Sequence, residues 1–210
     1  MLLKKKIFLK LIKKIFLKIF NGLNLNSEFQ WFFYPAQFWP HKNHKYLIDV
    51  NKSADFTVFV STWLMDLFEK QGLKSSKKRV ILAGANEEVF NPSDFTPWDG
   101  SGKLKIVTHH WGANWNKGFD VYSKLDFLLY EKKWSEVFEF TYIGNLPKNF
   151  QFNNVKYVKP LAGADLAKEL SKHNLYITAS INEPSGNHHM EGGLCGLPLM
   201  YVDSGGITEN

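Results

Sequence analysis

Apolar positions recur at helical intervals at the start of the chain and then switch to short runs broken by polar stretches. From Met1 to Phe20 (MLLKKKIFLKLIKKIFLKIF), apolar Phe8, Ile12, Ile15, Phe16 and Ile19 share one side, with Lys6, Lys10, Lys13, Lys14 and Lys18 on the other. This predicts a strongly amphipathic helix, stopped at Asn21-Gly22. The aromatic segment from Phe29 to Trp39 fits no regular element. Beyond Ala54 the pattern sharpens: FTVFV, Phe56 to Val60, predicts a short buried strand, Thr62 to Gln71 a helix closed by Gly72, and Arg79 to Leu82 a second strand. Gly84, Asn86, Asn91, Pro92 and the run from Asp94 to Gly102 then predict a loop long enough for a domain crossing.

A regular alternation follows. Strands are predicted at Leu104 to Thr108, Phe138 to Ile143, Val155 to Val158, Leu175 to Ala179 and Leu199 to Val202. Helices are predicted at Gly118 to Tyr130, Ala164 to His173 and His188 to Cys195. This order predicts an α/β fold, a Rossmann-like parallel sheet with helices on both faces, whose ligands bind beyond the carboxyl ends of the strands. Three segments result: a basic helix over 1–20, a small unit over 21–92 and the alternating unit over 93–210. The chain stops just after Ser204-Gly205-Gly206, and a fold of this kind is not expected to end on a turn, so the sequence reads as incomplete.

Composition narrows the classes. With 210 residues, 44% hydrophobic and 22% charged, the chain is neither a miniprotein nor disordered, and no apolar stretch is long enough to span a bilayer. The net charge of +6 suggests a polyanion partner until it is located: lysines 4, 5, 6, 10, 13, 14 and 18 all precede the first acid, and the rest of the chain is balanced to within one charge. That excludes a broad nucleic-acid footprint. It leaves two readings of Met1 to Phe20, a helix lying on an anionic membrane surface or one packed on the domain. A single cysteine, Cys195, excludes an internal disulfide, suits a reducing compartment and is expected to be a small buried residue.

Candidate chemistry gathers where strands end. His109-His110-Trp111 follow one strand, Gly144-Asn145 the next, and Ser180 to Met190 a later one. In HHWGANWNKG, Lys117 stands just before a helix, where an ammonium and free N–H groups suit a diphosphate; a solvated lysine is the plain alternative. Glu183 lies in a loop and Glu191 in the helix after it, with Gly186 and Asn187 offering backbone donors between them. Carboxylates accept hydroxyl protons in pairs, which suits a sugar and a ribose, although glutamates around a turn are usually caps or solvated. The paired histidines 109-110 and 188-189 give a weak metal signature, because neighbours on one element diverge and each pair offers at best one ligand. The aromatics of Phe127 to Tyr130 are expected in the core.

The stretch EPSGNHHMEGGLCGLPLMYVDSGGITE resembles the closing signature of retaining family 4 glycosyltransferases, with its two glutamates (Glu183, Glu191), Gly196-Leu197-Pro198 strand start and Gly205-Gly206 turn. VILAGANEEVFNP (Val80 to Pro92) is similar to that family's interdomain segment and KIVTHHWGANWNKGFDVY (Lys105 to Tyr122) to its donor-phosphate loop; the resemblance runs from about Ala54 to Asn210. It implies a GT-B fold, two Rossmann-like halves across a cleft, with 93–210 the nucleotide-sugar half and 21–92 a remnant of the acceptor half. It also implies roles: Glu191 on the ribose, Lys117 on the diphosphate, Glu183 near the reacting carbon of the sugar, and the backbone of Gly186, Asn187 and His188 on the sugar's hydroxyls. Gly144 joins the donor-binding set. Relatives commonly carry an arginine where Trp111 stands, and His110 beside it replaces that cation only when protonated. Neither a metal nor a cofactor besides the sugar-nucleotide substrate is implied. The expected partners are that donor and a glycan or lipid-linked acceptor, with a cytoplasmic location, peripheral at the inner membrane face. The alternatives are a noncatalytic nucleotide-binding fragment and a nucleotide-sugar epimerase of the same architecture.

Overall fold

In the computed structural model, residues 48–49 and 51–209 are described; the Met1 to Phe20 helix and the Phe29 to Trp39 segment fall outside them. The first unit is a βαβ turn of chain. Strands β1 (Thr57–Phe59) and β2 (Lys78–Val80) pair in parallel, joined by helix α1 (Thr62–Lys70). Phe59, Phe68 and Leu73 bury together between sheet and helix. Ser61 caps α1 by accepting the Leu64 N–H at 3.1 Å, and the Glu209 carboxylate, from the far end of the chain, accepts the Thr62 and Trp63 N–H groups at 2.7 and 2.8 Å.

The second unit is a five-stranded parallel sheet flanked by helices. Its strands are β3 (Leu104–His110), β4 (Phe138–Gly144), β5 (Lys156–Val158), β6 (Leu175–Thr178) and β7 (Leu199–Tyr201), in the order β5-β4-β3-β6-β7. Helices α2 (Phe119–Tyr130), α3 (Lys132–Ser135), α4 (Gly163–Leu170) and α5 (Asn187–Leu194) connect them. Burial on both faces explains the near-continuous apolar runs. Along β3, Leu104 and Ile106 pack with Phe119, Tyr122 and Leu125 of α2, while Val107 packs with Leu166 and Leu170 of α4. From β3 the chain goes to β4 on one side and later returns to β6 on the other, so the sheet's winding reverses at β3, the kind of point where such sheets open a crevice.

The strands and long helices fall where the sequence predicts, within a few residues. Helix α3 was not foreseen. Phe127 and Tyr130, expected in the core, are 69% and 79% exposed. The buried stripe of α2 is Phe119, Tyr122, Leu125 and Leu129, and Phe127 projects from the opposite side of the helix at 100° per residue. Asp126, beside that stripe, is buried, and its Oδ1 accepts the backbone N–H groups of Asn153, Asn154 and Val155 at 3.0, 2.6 and 2.9 Å. This one carboxylate secures the approach to β5. Asp126→Ala leaves the buried Val155 N–H and the part-buried N–H groups of Asn153 and Asn154 without this acceptor and is expected to lower unfolding stability by about 1–3 kcal/mol in urea titrations, with Asp126→Asn losing less.

Candidate functional site

The strands of the large sheet end level with one another because glycines let their ends approach. His110 stands opposite Gly144 in the β3–β4 register, and a Cβ on Gly144 would lie 2.0 Å from the His110 carbonyl oxygen. Gly118, left-handed at φ 95°, lets the turn before α2 sit on the end of β6, where a Cβ would come within 2.6 Å of the Ala179 Cβ. Across the same seam the Ile181 N–H donates to the Asn116 carbonyl at 2.8 Å. Loops from β3, β4 and β6 are thereby gathered at one edge.

A cavity of about 380 Å³ opens there. Glu183, Lys117, Glu191, Gly186, Asn187, His188, His110, Trp111 and Gly144 all line it, so the residues expected to form the donor site lie around one space. Phe90, Ile143, Leu161 and Leu166 give it an apolar wall, and Pro160 to Gly163 form part of its rim. His109 and Ser185 line it as well; the sequence marks their segments without assigning either a role.

The two carboxylates in the cavity each have a side-chain partner. Lys117 Nζ lies 2.5 Å from Glu183 Oε2, joining the loops after β3 and β6. His109 Nε2 lies 2.7 Å from Glu191 Oε2, joining the end of β3 to α5. Helix α5 starts after Gly186 with no side-chain cap, so the N–H groups of its first turn have no such partner at the cavity. Trp111 stands at the rim, 74% exposed, its carbonyl accepting from Asn145 Nδ2 at 2.7 Å.

Two of the buried histidines, His110 and His188, are held neutral. Burial, aided by the Lys117 charge and by His109, holds the His110 imidazole well below its ordinary range, and its Nε2 meets the Tyr122 hydroxyl at 2.7 Å. Burial and the neighbouring histidines do the same to His188, whose Nε2 meets Thr178 Oγ1 at 2.9 Å. Held neutral, His110 does not meet the condition, protonation, on which it was expected to act as a cation beside Trp111. Among the described residues lining the cavity, Lys117 is the lone lysine or arginine. Burial also pushes the Tyr122 hydroxyl up to about 12 and the Cys195 thiol up to about 11, so both keep their protons. His109 and His110, expected to diverge, both line the cavity at the end of β3. Among the described residues no three His, Cys, Asp or Glu side chains form a metal-holding group, and no helix is long and apolar enough to cross a membrane.

Neutral burial has a pH signature. Below histidine's ordinary 6.5, the unfolded chain binds protons that folded His110, His188 and His173 refuse. Their contribution to stability is therefore whole above about pH 6.5 and declines as the pH falls below it. Melting temperatures taken from about pH 7.5 down to about pH 5 should drop, and His188→Gln should flatten the slope; a flat profile in the unaltered chain would contradict the neutral assignment.

No family model and no curated protein matches the chain. Solved structures do. HepE of Anabaena in complex with UDP-glucose superposes with a TM-score of 0.66 at 18% identity, covering 83% of this chain and 52% of HepE. The UDP complex of HepE gives 0.63 at 19% identity, covering 81% and 51%. The GtfA/B complex gives 0.54 at 17% identity, covering 78% and 33%. The chain thus spans about half the length of HepE. At these identities the likeness is one of fold: the five-stranded parallel sheet flanked by helices corresponds to half of a GT-B structure.

Proposed function

We propose that this chain binds a sugar nucleotide and serves as the donor half of a retaining glycosyltransferase of the family 4 type. One observation carries this reading: Glu183 and Glu191, from a loop and the helix after it, converge with Lys117 on a single cavity at the carboxyl edge of the sheet. The likeness to HepE, whose structures hold UDP-glucose, and UDP together with glucose, supports the same class of ligand. In this reading Glu191 accepts the ribose hydroxyls. Lys117 shares its three donors between Glu183 and the diphosphate, stabilising the negative charge that grows on the leaving nucleotide as the sugar–phosphate bond breaks. The uncapped first turn of α5 offers Gly186, Asn187 and His188 N–H groups to the donor's oxygens. Glu183 holds the sugar near its reacting carbon, and the acceptor oxygen attacks from the face the nucleotide leaves, its proton passing to the departing phosphate oxygen; no residue is assigned as a nucleophile. The acceptor is a glycan or a lipid-linked saccharide.

Calorimetry with UDP tests the donor site. Glu191→Ala and Lys117→Ala should each weaken binding by about tenfold or more, whereas Glu183→Ala should mainly slow release of UDP from UDP-glucose. Unchanged UDP affinity in the Glu191 variant would overturn the ribose assignment. The basic segment Met1 to Phe20 is proposed to bring the chain to an anionic membrane, its lysines each adding about 1 kcal/mol at such a surface. Sedimentation with phosphatidylserine vesicles should capture the full chain and lose it in high salt; equal capture by neutral vesicles would remove the proposal.

A further inference from the structure

Glu191 has a neighbour whose role no motif assigns. His109 is buried, and its Nε2 lies 2.7 Å from Glu191 Oε2. Behind it stands Tyr176 of β6, wholly buried, whose hydroxyl accepts the His109 backbone N–H at 3.2 Å and lies 3.1 Å from His109 Nδ1. A carboxylate accepts only, so Nε2 carries the proton that faces Glu191. The Tyr176 hydroxyl has one proton to give and stands 3.1 Å from Nδ1 and 3.3 Å from the His109 carbonyl oxygen, to which it donates. The imidazole is thus held from both ends, by Tyr176 behind and by Glu191 in front.

We propose that His109 is a positioning residue for nucleotide recognition: it holds Glu191 Oε2, fixes the side chain's rotamer, and turns Oε1 to the ribose hydroxyls. The inference rests on the donor-site reading of Glu191 given above. Its physical basis is that a glutamate in an open cavity samples several rotamers, and a ligand that must select one binds more weakly than a ligand meeting it ready-made. His109 removes that cost before the nucleotide arrives. Tyr176 in turn holds the ring from behind and so limits its rotation. The three groups come from β3, β6 and α5, so the arrangement exists only where the sheet brings those elements together.

The test is discrimination between ribose and deoxyribose, which a merely structural histidine would not govern. Calorimetry compares UDP with 2′-deoxy-UDP on the full chain and on His109→Ala, His109→Gln and Tyr176→Phe. The unaltered chain should prefer UDP by about tenfold, the loss of one hydrogen bond to a charged acceptor. His109→Ala should reduce that preference to about twofold or less. His109→Gln, whose amide N–H reaches a similar point, should restore most of it, and Tyr176→Phe should leave an intermediate ratio. Should His109→Ala fail to fold, the glutamine and phenylalanine variants decide by the same ratio. A full preference retained in the folded variants overturns the positioning role and leaves the donor site standing. Absence of any ribose preference in the unaltered chain removes the donor-site reading, and this inference with it.

Discussion

A carboxylate at the mouth of a doubly covered sheet is costly unless something answers it, and here both partners come from one strand and the loop that follows it. Glu183 is only 8% exposed, at which burial an unpaired anion loses far more hydration than packing returns. Its partner, Lys117, stands in the loop after β3; the partner of Glu191, His109, stands at the end of β3 itself. The central place of β3 in the strand order is therefore what makes the site possible. With β6 directly beside it, Tyr176 registers with Val107 and reaches His109 from below. A one-residue slip between these strands would turn that tyrosine to the other face and leave the imidazole without its second partner.

The glycines of this edge belong to the same constraint. Charged groups from different loops can meet at hydrogen-bond distance only if the backbones carrying them approach more closely than side chains ordinarily allow. Gly144 against His110 and Gly118 against Ala179 provide that approach. The spacing of chemical residues in the sequence and the placing of its glycines thus express one requirement.

Much of this was legible in the chain. The strands and longer helices follow from runs and periods that each element displays on its own, and Lys117, Glu183 and Glu191 stood out because they occupy loop ends and helix starts. What escaped notice depends on distance in sequence. His109 and Glu191 are 82 positions apart, and Tyr176 reads as one more apolar residue in a buried strand, with nothing local to show that its hydroxyl serves a histidine. The neutrality of His110 likewise follows from burial under α2 and from the nearby lysine charge, and neither is a property of its neighbours in the chain. Phe127 and Tyr130 were misplaced for a related reason: FLLY is apolar throughout, and which of its members face the sheet is decided by the phase set at Phe119.

The closing stretch of the motif is explained by packing instead of chemistry. After β7 the chain doubles back, Gly205 bridges Glu183 in parallel, and the Gly206 N–H donates to the Glu183 carbonyl at 2.8 Å. A Cβ on Gly205 would lie 2.2 Å from that carbonyl oxygen, and one on Gly206 would lie 2.5 Å from the Pro184 carbonyl oxygen. Both positions are therefore confined to glycine by main-chain contact with the very loop that holds Glu183 toward Lys117. Three residues on, Glu209 takes the first N–H groups of α1. Burial pushes its carboxyl up, and the hydrogen bonds from Trp63 and Thr62 outweigh that and hold it below the usual carboxylate range. The loop of Glu183 is thus pinned from two directions, by an ion pair to the large sheet and by main chain that ends on the helix of the small one. This double anchorage fixes in place a carboxylate that would otherwise sit on a loop free to move.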